Sequence, residues 1–201
     1  MSKNMVGIYA GLLTHNQLIM KSHQNVYTGS QLAFLVGLRL LIGWHFLYEG
    51  LVKLWNPNWS AAGYLMDSKG PWEEYFYKLA GNPEMLKIAD FLNVWGLILV
   101  GAGLIAGLMT RWAAVGGMLL LAMYYASHPP FIGLTYALPS EGSYLWVNKN
   151  LIELVALGVV MVFPTGNILG LDRFFRRKEA TQSTVNNASG TTARQKETMS
   201  A

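Results

Sequence analysis

The feature that most limits what this chain can fold into is a set of four apolar stretches. Crossing the hydrocarbon core of a bilayer takes roughly 20 mostly apolar residues. The stretches run from about Gln31 to Trp55, Met85 to Met109, Trp112 to His128 and Trp146 to Phe163. The first two are long enough to cross unaided; the third is short, and the fourth stops at Pro164. Charged residues make up only 13% of the 201, against about 25% in a soluble domain. That leaves too little polar surface to cover a water-facing globule. The expected fold is all-α, a transmembrane four-helix bundle. The lack of Cys removes disulfide relays, thiol nucleophiles and Cys-ligated metal or iron–sulfur centres.

Breakers and charge give the organisation. Residues 56–84 form a long aromatic connection with Pro57, Pro71 and Pro83 as breakers. Only Thr110-Arg111 separates the second and third stretches, which predicts a tight antiparallel hairpin. The third connection, 129–145, opens on Pro129-Pro130. After Pro164, NILGLDRFFRRKEA mixes apolar and basic residues and suits a short amphipathic helix on the membrane surface. The chain thus divides into an N-terminal segment, 1–29, a membrane domain, 30–178, and a polar tail, 179–201, expected to be disordered. Lys3, Lys21, Arg111, Arg173, Arg176, Arg177 and Lys178 would share one side of the membrane. Lys53, Lys69, Lys78, Lys87 and Lys149, mixed with Asp67, Glu73, Glu74 and Glu84, would share the other. The larger basic set places both termini in the cytoplasm, in a multi-pass inner-membrane protein with the two long loops outside. Residues 1–29 lack the basic start and long apolar run of a cleaved signal peptide.

Polar residues inside the apolar stretches are the informative exceptions. Arg39, His45, Glu49 and Lys53 all lie in the first, and each Arg or Lys near a bilayer centre costs about 2.5–3.5 kcal/mol. At about 100° per residue, with Arg39 at zero, His45 falls near −120°, Glu49 near −80° and Lys53 near −40°. The four share about a third of the helix circumference, beside Gly43 and Gly50, which permit close helix approach. In the expected topology the second helix offers Asp90 and Asn93 at the depth of Glu49. The third ends at Tyr124, Tyr125 and His128, and the fourth opens with Asn148, Lys149, Asn150 and Glu153. All four helices therefore bring polar groups to the outer half of the bundle.

Plainer readings stay open. Glu49–Lys53 and Lys149–Glu153 also fit ion pairs within their own helices, with the lysines snorkelling to the interface. Arg39 could reach lipid phosphates, His45 could be a hydrogen-bonded structural histidine, and His128 could cap a helix end. Gly103 to Gly107 is a GxxxG pattern near Gly96, Gly101, Gly116 and Gly117; it predicts close helix packing within the chain or in a homodimer. Trp55, Trp59, Tyr64, Trp72, Tyr75, Phe76 and Tyr77 read as an interfacial belt or as the roof of a flat apolar ligand. No Walker loop, dinucleotide fingerprint or zinc-ligand spacing occurs. Only His45 lies deep, which argues against haem held between two helices. The basic cluster Arg173–Lys178 fits anionic lipid rather than nucleic acid.

The runs RLLIGWHFLYEGLVKLWNP and NLIELVALGVVMVFPTGNILGLDRFF, with an aromatic outer loop and a Gly-rich second span between them, resemble the DoxX family of four-helix membrane proteins. The resemblance covers about residues 30–178 and is nearest to the DoxD-like branch, which includes a membrane subunit of thiosulfate:quinone oxidoreductase. Its motifs here are the Arg39 face with Gly43, Glu49, Gly50 and Lys53, and Asn150 with Glu153. It implies a four-helix bundle; thiosulfate chemistry does not follow from fold alone.

Three functions compete. The first is a quinone-linked oxidoreductase subunit: Glu49, His45 and Glu153 would donate or relay protons, while Arg39, Lys53, Asn93, Asn150 and His128 would bind substrate, with quinone as acceptor. The second is a non-catalytic assembly or anchoring partner of a larger complex. The third is a small-solute carrier, for which four spans are few unless the chain dimerises.

Overall fold

The computed structural model describes residues 27–137, 145–163 and 165–173. Expectations for the first 26 residues and for the tail 179–201 lie outside the described residues. The chain divides into two compact units, Met1–Leu35 and Val36–Ala201. Described residues of the first hold the start of helix α1, Gly29–Trp55. There Thr28 Oγ1 accepts from Gln31 N and Gln31 Oε1 accepts from Thr28 N at 2.9 Å, a reciprocal capping box.

The second unit is helical. Besides α1, the described residues form α2, Ala62–Met66, α3, Glu73–Gly81, α4, Pro83–Ala106, α5, Thr110–Ser127, and α6, Lys149–Val162. The long helices have recognisable ends. Pro83 does not simply break the chain: it opens α4 behind Asn82, whose side chain accepts from Glu84 N and Met85 N, the position where proline's missing N–H does no harm. Gly107, at φ 63°, closes α4 in the left-handed region that glycine tolerates. Asn148 caps α6 by accepting from Leu151 N at 3.0 Å.

Two of these helices, α1 and α4, are long and apolar enough to cross a membrane. Only 22% of each apolar window is buried, with Leu41, Trp44, Phe91, Leu92 and Leu99 exposed. A soluble core helix would hide those side chains; a lipid-facing helix would not. Of the other two stretches, the third forms a helix of the expected length and the fourth a shorter one. Helix α5 has 18 residues and α6 has 14, about 27 and 21 Å at 1.5 Å per residue. The Asn148 cap delays α6 to Lys149, so Trp146 and Val147 stay outside it.

One apolar cluster joins Ile42 and Phe46 of α1, Leu97, Val100 and Leu104 of α4, Ala114 and Leu121 of α5, and Leu157 and Val160 of α6. Glycines set the closest approaches. A Cβ on Gly43 would lie 3.0 Å from the Leu104 Cβ, and one on Gly50 2.7 Å from Ile98 Cγ1. The connection 56–84 is not an open loop. Its helices α2 and α3 bury Ala61, Leu65, Phe76 and Ala80 against Leu86 and Ala126, and Asp90 Oδ1 accepts from Ala61 N at 2.7 Å.

The segment after α6 also departs from expectation. A 3-10 turn, Thr165–Asn167, leads the chain back onto the α4–α5 turn. Leu171 N donates to Ala106 O and Asp172 N to Gly107 O, both at 3.0 Å. Up to Arg173 this segment is docked on the protein; the remainder of the stretch expected to form a surface helix lies outside the described residues.

Candidate functional site

The polar groups foreseen on separate helices meet around one cavity of about 640 Å³. His45, Glu49 and Lys53 line it from α1, Asn93 from α4, Tyr124 and the following His128 from the end of α5, and Lys149 and Asn150 from the start of α6. Spacing of about 100° per residue explains the α1 contribution, since positions four apart stack on one face. Lys53 Nζ sits 3.0 Å from Glu49 Oε2 and 5.7 Å from the centre of the Trp59 ring. Asn93 Nδ2 donates to Tyr124 Oη at 2.6 Å, and the buried Asn93 Oδ1 has no hydrogen-bond partner among the described residues.

Glu153 joins this set indirectly. The sequence left open either a pair with Lys149 on its own helix or a role inside the bundle. In the structure Glu153 Oε1 lies 2.7 Å from His45 Nδ1 of α1. The Glu153 side chain is only 10% exposed, and its Oε2 has no hydrogen-bond partner among the described residues. A carboxylate against one imidazole nitrogen fixes the orientation of the ring, and the His45 ring lines the cavity.

Arg39 is the expectation that fails. It is 3% exposed and does not line this cavity. Nη1 donates to Thr165 Oγ1 at 3.1 Å and Nη2 to Leu169 O at 2.7 Å. The angular arithmetic put Arg39 on the polar face correctly but ignored depth: it lies six residues before His45, about 9 Å along the axis, and there the returning C-terminal segment engages it.

The outer wall comes from the two long connections. Trp59, Ser60 and Tyr64 face the cavity from the first, and Phe131, Leu134 and Tyr136 from the second. Tyr64 stacks on His128 with ring centres 3.9 Å apart, and the Tyr136 ring lies 4.7 Å from the same imidazole. Ser127 Oγ and His128 Nδ1 are 3.0 Å apart, Ser127 also bonds Ser68, and Asp67 Oδ2 approaches His128 Nε2 to 3.9 Å. His128 follows the last residue of α5 and lies in the connection. Burial holds its imidazole below the ordinary range, against the opposite pull of Asp67. Burial likewise raises the Tyr64 hydroxyl above its usual value. Asp67, Tyr64 and Tyr136 were not singled out as a group by sequence; the only signal was the aromatic density of the first connection.

A family model described as DoxX matches residues 34–128. The match spans α1 from Phe34, α4 and α5, so it contains His45, Glu49, Lys53, Asn93 and His128 but not Asn150 or Glu153. No curated protein and no solved structure matches the chain. Similarity to the DoxX family and two apolar helices with mostly unburied surfaces mark a membrane protein.

Proposed function

Taking a DoxX-like membrane protein as the premise, we propose that this chain is the membrane subunit of a quinone-linked oxidoreductase. In this reading α1, α4, α5 and α6 all cross the inner membrane as a four-span bundle, both termini are cytoplasmic, and the cavity opens toward the outer side. The observation that carries it is the meeting of two histidine–carboxylate pairs at one aromatic-walled cavity. His45 is backed by Glu153 at 2.7 Å and His128 faces Asp67 at 3.9 Å. Ligand sites commonly run from about 300 to 1,000 Å³, and 640 Å³ accommodates a quinone ring and the start of its tail.

The chemistry uses both pairs. A quinone takes up two electrons and two protons to become a quinol. His45 and His128 would each serve one ring oxygen as acid, with Lys53 and Lys149 stabilising negative charge as it develops. The flat ring would lie against Trp59 and Tyr64. A small anionic reductant suits the same lysines. For thiosulfate, as in the DoxD-like branch, two anions couple into tetrathionate, the new S–S bond releasing the two electrons that the quinone accepts. Assay of the full chain with its partner subunits, decyl-quinone and thiosulfate tests the proposal. Glu153→Gln is expected to lower turnover at least tenfold, within the usual contribution of a positioned acid. Equal turnover in wild type and Glu153→Gln would reject it.

A second reading, a non-catalytic partner of a larger complex, draws on the exposed Trp72 and Tyr75 at the outer surface. It expects Glu153→Gln to impair assembly with partner subunits while leaving their turnover unchanged.

A further inference from the structure

A second concavity involves none of the cavity residues. Val36, Arg39, Leu40, Ile168, Leu169 and Arg173 line an open groove of about 650 Å³. Its walls are aliphatic, with Leu40, Ile168 and Leu169 exposed. Its charged groups are two arginines of different character. Arg173 is exposed. Arg39 is 97% buried (3% exposed), fixed through Nη1 and Nη2, and its Nε has no hydrogen-bond partner among the described residues. A buried guanidinium N–H left unpaired is costly, and a guanidinium suits phosphate oxygens.

The surroundings fit a membrane–water boundary. Trp112, beside the α4–α5 turn, is 72% exposed, as befits an interfacial aromatic, and Arg111 next to it is exposed. One acid is close: Asp172 acts on Arg39 electrostatically. Its oxygens are already engaged, accepting from Met109 N at 2.6 Å and from Thr110 N and Oγ1 at 3.2 and 3.0 Å. Arg173 restores the positive balance.

We propose that this groove binds an anionic phospholipid, the phosphate at Arg173 and Arg39 and the acyl chain along Val36, Leu40, Ile168 and Leu169. Apolar walls running up to two arginines match an acyl chain joined to a phosphate, and a soluble anion would leave those walls uncovered. The site is independent of the quinone reading.

The test uses the full chain in nanodiscs of phosphatidylcholine alone or doped with phosphatidylglycerol, with lipid retention read by native mass spectrometry. Wild type is expected to retain phosphatidylglycerol over phosphatidylcholine. Arg173→Ala, an exposed position that leaves the core intact, is expected to lower that preference about fivefold, the worth of one basic side chain at an anionic surface. Lys78→Ala, an exposed lysine on α3, is expected to leave it unchanged. Equal retention of the two lipids, equal loss in Arg173→Ala and Lys78→Ala, or displacement of the lipid by inorganic phosphate at millimolar concentration would overturn the proposal.

Discussion

At the residue scale, the His45–Glu153 contact concentrates most of the consequence. Removing the carboxylate leaves the half-buried imidazole without its partner. Glu153→Ala should therefore destabilise the chain by about 2 kcal/mol, read by denaturant titration in detergent, whereas Glu153→Gln keeps a hydrogen bond and should lose about 1 kcal/mol. His128 gives a pH dependence of known sign. Its imidazole is held below the ordinary value of 6.5, so the unfolded chain binds the proton more readily. Its contribution is complete above that value and fades as pH falls through the depressed one. The protection of amides over residues 60–81, taken relative to their intrinsic exchange rates at each pH, should thus fall on acidification from about pH 8 to pH 5, and His128→Phe, which keeps the ring stack, should flatten the response. The partner of Glu153 was not legible in the sequence. Lys149 four residues earlier had the spacing of a helical ion pair, while the hydrogen-bond partner seen comes from a helix more than a hundred residues away. Which side chain of a neighbouring helix meets a carboxylate is decided by packing, and a single sequence does not contain that.

At the element scale, glycine positions decide how near the helices come. Gly101 faces the α1 backbone at Leu47 and Gly43, so Gly101→Ala should force α1 and α4 apart at a cost of about 1–3 kcal/mol. Gly158 of α6 has nothing within 4 Å of an added Cβ; Gly158→Ala should gain about 1 kcal/mol from helix propensity alone. Thermal unfolding of the two variants checks both signs. Helix existence and close glycine packing were legible because hydropathy, proline and glycine are local signals. The short start of α6 was partly legible, since Asn148 is a good cap, yet Trp146 and Val147 extended the apolar pattern past it. The docking of residues 165–173 was not legible: the basic, apolar composition fits a surface helix equally well. Its attachment shows in the bonds that Asp172 accepts from Met109 and Thr110 and in those that Leu171 and Asp172 donate to Ala106 and Gly107. Asp172→Ala should loosen that turn, losing about 1 kcal/mol as a helix cap does.

At the scale of the molecule, the account requires a chain that crosses the bilayer with its aromatic connections on one side and the α4–α5 turn on the other. The lack of Cys makes single-cysteine reporters clean. Lys78→Cys should react with an impermeant maleimide added outside intact cells, and Arg111→Cys should react only after permeabilisation. The convergence of acids, bases and amides was legible as an expectation because four helices carried polar residues at matching depths. The exclusion of Arg39 was not, because face and depth must both agree for a residue to reach a cavity. The most direct test of the central claim is quinone binding to the purified full chain in nanodiscs. Gly63 lines the cavity and has open space around an added Cβ, so Gly63→Trp should fill the cavity without disturbing the fold. Saturable binding of decyl-quinone to the wild type, lost in a Gly63→Trp protein of unchanged melting temperature, is the result expected; binding that survives that substitution undiminished would contradict the account.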